Sequence, residues 1–143
     1  MEDLYPTIKE IHSFLRWIVL AAVIIVVVKY LVSWLSGNKF SQLDNRISLI
    51  SIISLDIQLL LGLILYFFLS PFTKDIFNTG FSMQDAQSRF YAIEHPVSML
   101  LAIVFAHVGR TLMKKSTNDR MKFKRGTVWF ALSLIFMLAR MPW

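Results

Sequence analysis

The sequence predicts an all-α membrane protein whose four transmembrane helices form one up-down-up-down bundle with both termini extracytoplasmic. Of its 143 residues, 56% are hydrophobic and only 17% are charged, and there is no cysteine. The apolar residues fall into four long blocks with charges between them, whereas a soluble domain carries about a quarter charged residues throughout. This composition excludes a soluble enzyme, a disordered chain, a disulfide scaffold and thiolate metal sites. We expect a single membrane domain over residues 1–143.

Each apolar block is long enough to cross the bilayer core as a helix, which takes roughly 20 mostly apolar residues. The first block ends at Ser36-Gly37-Asn38, a typical signal for a helix C-terminus, and it is too long for a cleaved signal peptide. The second ends before Pro71, and the fourth is the shortest. Because backbone polar groups inside a bilayer must be paired within the protein, we expect helices there. The expected spans are residues 8–35, 46–69, 88–113 and 123–140.

The orientation follows from the lysines and arginines of the short loops, which stay on the cytoplasmic side. The loop between the first two spans contains Lys39 and Arg46. On the opposite side of the membrane, the loop between the second and third spans contains only Lys74 and Arg89. The same rule explains the net charge of +6, so we expect the lipid bilayer and no nucleic acid as partner. Most of the positive charge lies in the loop between the third and fourth spans, which holds Arg110, Lys114, Lys115, Arg120, Lys122, Lys124 and Arg125.

The longest connection, residues 71–87, mixes polar residues with Phe72, Ile76, Phe77 and Phe81. A purely solvated loop would not need these apolar side chains. Two explanations fit them equally well. One is an amphipathic segment on the membrane surface, and the other is a loop packed on the end of the bundle.

All three histidines fall within spans, where ionisable residues are costly and therefore candidates for function. His12 and His95 lie near the outer ends of the first and third spans, and the helical rise places them at similar depths. These spans run in the same direction and occupy diagonal positions, so the imidazoles would face each other as axial ligands of a haem b. Hydrogen bonding between helices is the alternative. His107 has no fourth histidine at its depth, so at most one such haem is expected.

Two arginines and two small residues would complete that site. Arg16 and Arg140 could each bind a haem propionate through a paired contact. The alternative is that either arginine reaches the outer headgroups or pairs with Glu94. Ser98 and Ala102 share a helix face with the third-span histidine and would leave room for a flat macrocycle. Small residues on one face are equally typical of close helix packing.

Asp56 lies near the middle of the second span, on roughly the opposite side from the small and polar residues of that helix. A lone carboxylate at that depth is expected to be protonated, to be paired, or to line a wet path. We interpret it as a neutral group that hydrogen-bonds a neighbouring helix. A proton relay through Asp56 is the alternative.

Four strings in the sequence together resemble a known family. They are HSFLRW at 12–17, QLLLGLILYF at 58–67, RFYAIEHP at 89–96 and GRT at 109–111. The chain resembles, over nearly its whole length, a family of small four-span bacterial inner-membrane proteins often labelled "cytochrome B". The resemblance implies a layout similar to b-type cytochromes, which hold haem between diagonal helices. Relatives often carry a histidine where this chain has Asp56, which leaves His12 and His95 as the implied ligand pair.

Three functions stay open on the sequence alone. The first is a b-type cytochrome-like electron relay with a single haem near the outer side, which would need a redox partner or a quinone and would not be a complete enzyme. The second is a non-redox accessory subunit of a larger membrane complex or a homo-oligomer. The third is a small proton-path or transport protein built on Asp56.

Overall fold

The computed structural model describes residues 3–80 and 84–142, and all the regular structure in these residues is helical. The all-α prediction is therefore confirmed. Phe81, one of the apolar residues named in the 71–87 connection, lies outside the described residues. Five helices follow one another in the described ranges: α1 (Leu4–Ser36), α2 (Gln42–Leu69), α3 (Pro71–Thr79), α4 (Ala86–Lys115) and α5 (Asp119–Ala139).

Two of the long helices contain a wider turn. In α2, the α-helical part Gln42–Ile64 continues as the π-helical segment Leu65–Leu69. In α4, a single turn at Ala86–Arg89 leads through the π-helical segment Phe90–Glu94 into the main α-helix, His95–Lys115.

Three helices are long and apolar enough to cross a membrane, which indicates a membrane protein. These are α1, α2 and α4, with 33, 28 and 30 residues and mean hydropathies of 2.6, 2.3 and 1.5 in their most apolar stretches. The helix α5, which corresponds to the predicted fourth span, has 21 residues but does not meet the same criterion. Its first turns carry Asp119, Arg120, Lys122, Lys124 and Arg125, so its apolar part is short.

The helix ends follow local capping chemistry. The helix α1 stops where predicted, because Gly37 takes a left-handed conformation (φ 68°) and the N–H of Asn38 donates to the Ser33 carbonyl at 3.0 Å. The helix α2 starts with a reciprocal cap that the sequence analysis did not use. The Asp44 N–H donates to the Ser41 hydroxyl at 3.3 Å, and the Ser41 N–H donates to the Asp44 carboxylate at 2.9 Å. The Asn118 side chain caps α5 in a simpler way, and these two caps explain why α2 and α5 begin four residues earlier than predicted.

The four long helices pack in a ring. The helix α1 contacts α2 and α5 extensively, and α4 contacts α5 extensively and α2 less so. The pairs α1 and α4, and α2 and α5, are therefore diagonal, as the sequence predicts for the first and third spans. The core between them is apolar and includes Val19, Val23, Val26, Ala102, Ala106 and Phe130.

Two glycines allow α5 to approach its neighbours closely. A Cβ atom on Gly126 would collide with the ring of Tyr30 on α1, and a Cβ on Gly109 of α4 would collide with the Cβ of Trp129. Tyr30 is fully buried and packs edge-on against Phe123, with the ring centroids 5.4 Å apart. A larger residue at either glycine would therefore push a helix outward.

A polar network closes the end of the bundle where α1 ends and α2 begins. The buried carboxylate of Asp44 accepts a bond from Lys29 Nζ at 2.7 Å, and the Tyr30 hydroxyl donates to the Asp44 carbonyl. Arg110 of α4 donates to the Asn45 carbonyl and to its side-chain oxygen, each at 3.1 Å. The network joins α1, α2 and α4. The sequence analysis did not predict it.

The short helix α3 packs back onto the bundle. Ser70 caps it, and Pro71 occupies its first turn, where a missing N–H costs nothing. The Thr73 hydroxyl donates to the Tyr66 carbonyl at 2.7 Å, and Ile76 is buried. Of the two explanations for the apolar residues of this segment, packing on the end of the bundle therefore holds for Ile76.

We predict that Gly126→Ala destabilises the protein by about 1–3 kcal/mol, because the added methyl group has no space beside the Tyr30 ring. The measurement is thermal unfolding of the detergent-solubilised protein. The matched control is Val128→Ile, which adds one carbon to a half-exposed position of the same helix and should leave the unfolding temperature unchanged. Equal stability of the two variants would contradict the tight contact.

Candidate functional site

A cavity of about 550 Å³ lies at the end of the bundle where α1 begins and α5 ends. This volume falls within the range of small-molecule and cofactor sites, roughly 300–1,000 Å³. Its walls come from all five helices and from the residues after α5, and most of the lining side chains are apolar. The predicted ligand pair, His12 and His95, lines this cavity from two diagonal helices.

The ring of His95 has a fixed orientation. Its Nδ1 lies 2.8 Å from the backbone carbonyl oxygen of Arg140. Because a carbonyl can only accept, Nδ1 must carry the proton of the neutral ring, which leaves the lone pair on Nε2. The imidazole also stacks on Phe90, with the ring centroids 5.8 Å apart and the planes 26° apart. The His95 ring is therefore held in one orientation, and its Nε2 lone pair is available to ligate a metal or to accept a hydrogen bond.

His12 is held differently, by α2. Its backbone carbonyl accepts a bond from Gln58 Nε2 at 2.8 Å. Its ring lies beside Gly62, where a Cβ atom would come within 3.3 Å of His12 Cε1. The Nδ1 atom of His12 is buried and has no hydrogen-bond partner. The ring is therefore seated against a residue without a side chain, and one of its nitrogens is unsatisfied.

Three buried side-chain atoms in the described part of the chain lack a hydrogen-bond partner: His12 Nδ1, Arg16 Nε and Gln58 Oε1. All three belong to residues that line the cavity. Buried polar groups are normally paired, and each exception needs an explanation. A ligand or ordered water in the cavity would supply the missing partners.

The two predicted arginines take different positions. Arg16 lines the cavity, and its Nη1 donates to the Pro142 carbonyl at 2.8 Å, which ties α1 to the end of the described chain. The guanidinium of Arg140 does not reach the cavity lining. Its Nε lies 3.9 Å from Glu94 Oε2, which is the pairing that the sequence analysis gave as the alternative for this arginine.

The two predicted small residues also differ. Ala102 is fully buried and lines the cavity, two helical turns along α4 from His95. Ser98 is not part of the lining, and its hydroxyl donates to the Phe136 carbonyl of α5 at 2.7 Å. Ser98 therefore joins two helices, which is the packing alternative of the sequence analysis.

Both π-helical segments flank the cavity, and the sequence analysis missed them. The Tyr66 hydroxyl in the first segment donates to the Ala92 carbonyl in the second, at 2.7 Å. Pro96 explains why that carbonyl is free, since proline has no N–H to donate to the residue four positions before it. The signal was present in the sequence as a proline directly after the histidine of a span. Such wider turns are frequent at functional sites.

Asp56 and His107 form a separate site on the outer surface between α2 and α4. His107 Nε2 lies 2.7 Å from Asp56 Oδ1, and the two side chains are 47% and 48% exposed. Asp56 therefore has a hydrogen-bond partner on a neighbouring helix, as predicted, and the partner is His107. Neither side chain lines the cavity.

Comparisons of the chain with family models, with curated proteins and with solved structures found no match. The function must therefore be inferred from the residues themselves. The strongest grouping in the described residues is the cavity, with His12 and His95 on its walls.

Proposed function

We propose that this chain is a four-span protein of the bacterial inner membrane that holds one haem b between His12 and His95 and acts as an electron relay. The proposal extends the resemblance to the small "cytochrome B" family. One observation carries it: two imidazoles line a single cavity from diagonal helices, and a backbone carbonyl fixes one ring with its Nε2 free. The redox partner would be another protein or a quinone.

The histidines suit axial ligation for chemical reasons. A ligating imidazole usually donates its other N–H to a carbonyl or a carboxylate, which fixes the tautomer and makes the ligating nitrogen more basic. The Arg140 carbonyl is the acceptor for the N–H of His95. His12 contributes a buried nitrogen without a partner, and Gly62 leaves space at the edge of its ring.

The other lining residues also suit a large flat ligand with acidic substituents. Ala102 and Gly62 add little bulk to the walls, and the apolar side chains around them exclude water. Arg16 has a buried Nε without a partner, and Lys9 lies on the same cavity, so both are donors for a propionate. Arg140 is the weaker candidate, because its guanidinium lies beside Glu94.

A haem with two imidazole ligands has no open iron position, so it supplies one-electron transfer and not oxygen activation. The residues of the chain would position the group and keep it dry. The Arg140 carbonyl holds the His95 ring, Gln58 holds the backbone at His12, and Pro96 widens the turn beside the cavity.

The position of α5 supports a fourth span. The turn between α4 and α5 is only a few residues long, so α5 runs back along α4 and packs against both α4 and α1. A helix that packs along two spans occupies the same depth of the bilayer. The two basic loops lie at one end of this bundle, which favours that end as cytoplasmic.

The orientation can be tested with single cysteines, since the chain has none of its own. We expect Asp3→Cys to react with a membrane-impermeant maleimide in spheroplasts, and Thr117→Cys to react only after the membrane is permeabilised. The measurement is a gel shift of the labelled protein. Labelling of Thr117→Cys from outside would contradict the orientation, and labelling of both sites would contradict the four-span topology.

The haem can be tested by absorbance. We expect the protein, expressed with haem available and purified in detergent, to show a Soret band and the sharp bands of a low-spin b-type haem after reduction. His12→Ala and His95→Ala should each abolish or shift these bands, because each removes one axial ligand.

The matched control is His107→Ala, which removes the one histidine that does not line the cavity and should keep the full spectrum. Circular dichroism of each variant checks that the helices remain. A colourless wild-type protein would overturn the proposal and favour the accessory-subunit function. Loss of the bands in His107→Ala alone would also contradict the assigned ligands.

A further inference from the structure

The Asp56–His107 pair is the most unusual polar feature outside the cavity. It joins α2 and α4 through a 2.7 Å contact, yet close to half of each side chain is exposed. We propose that the surface around this pair binds a second copy of the same chain, so that the protein forms a symmetric dimer through α2 and α4. This inference does not depend on the haem.

The depth of the pair makes its exposure costly. Asp56 lies near the midpoint of α2, which runs over Gln42–Leu69 and is apolar enough to cross a membrane. Lipid tails offer no hydrogen bonds, so ionisable side chains within spans almost always face protein or water. In the described residues, neither Asp56 Oδ2 nor His107 Nδ1 has a hydrogen-bond partner. The pair therefore has unused polar atoms that point away from its own bundle.

The rest of this surface is apolar. On α2, the exposed residues Ile53, Ile57 and Leu60 follow the helical repeat around Asp56, and on α4, Leu100 and Val104 precede His107 on one face. Leu100 also lines the cavity, whereas Asp56 and His107 do not. A surface of this kind, apolar with a central polar pair, is typical of helix–helix contacts within membranes.

Charge complementarity favours a second copy as the occupant. The surface carries an acceptor on α2 and an imidazole on the adjacent α4. A twofold axis along the membrane normal keeps every residue at its depth and places α2 of one copy against α4 of the other. Asp56 then faces the partner's His107, and the reverse contact forms by symmetry. The chain therefore supplies the complement of its own exposed pair, whereas an unrelated protein would need a matching pair at the same depth.

The geometry predicts which cysteines can be joined. Leu60 lies one turn from Asp56, and Val104 lies one turn from His107, both toward the cavity end of the bundle. Two copies with different tags, one with Leu60→Cys and the other with Val104→Cys, would be expressed together and oxidised in native membranes. We expect a disulfide-linked dimer that carries both tags. The matched control uses Ile25→Cys and Ile135→Cys, which are equally exposed on α1 and α5 and should give no such dimer.

The polar pair itself is tested in the same assay and by the mass of the protein in nanodiscs. Asp56→Leu should weaken dimerisation about tenfold, since two interhelical hydrogen bonds are lost by symmetry. The exchange Asp56→His with His107→Asp should restore it, because the complementary contact is preserved. A monomeric wild-type protein without the mixed-tag dimer would overturn the proposal, as would a dimer that Asp56→Leu does not weaken. Restoration by the exchange also shows that a loss in Asp56→Leu is not a failure to fold.

Discussion

Close contact between glycine and aromatic side chains is the constraint on which the rest of the bundle depends. At Gly126 and Gly109, α5 approaches α1 and α4 so closely that no Cβ atom fits. The buried Asp44 network closes the same half of the bundle. In the other half, Gly62 of α2 lies beside the imidazole of His12, where an added Cβ atom would come only within 3.3 Å of the ring. The tight half therefore fixes the helices, and the cavity opens in the half where the packing is looser.

The fold was predictable because it follows from composition and loop chemistry. Four apolar blocks gave the helices, and the short connections placed α1 and α4 on a diagonal. The helix α5 shows the limit of such reasoning. Its basic first turns lower its hydropathy, although it packs along both α1 and α4. The Asp44 network also escaped prediction. It joins residues of three helices, and nothing in the local sequence shows that Lys29, Asp44 and Arg110 lie at one end.

The candidate site was predictable in its two histidines but not in their surroundings. Depth along two parallel spans was enough to place His12 and His95 on one cavity. The partner of His95 is a backbone carbonyl, and every residue has one, so no sequence pattern could single out Arg140 for that role. Asp56 and His107 could have been matched by depth. The partner of His107 is a carboxylate and not a second histidine, so a search for paired histidines does not find it.

The helices α2 and α4 are joined by polar bridges at three levels. The Tyr66 hydroxyl reaches the Ala92 carbonyl beside the cavity, Asp56 meets His107 in the middle, and Arg110 reaches Asn45 at the far end. These side-chain hydrogen bonds span a wider gap between helices than the glycine contacts of α5. The helices α2 and α4 can therefore lie further apart and still keep their relative positions along the bundle. In hydrocarbon no water competes for such bonds, and a broken bridge leaves polar atoms unpaired. The same spacing therefore leaves room for the cavity on the inside and presents the middle bridge on the outside.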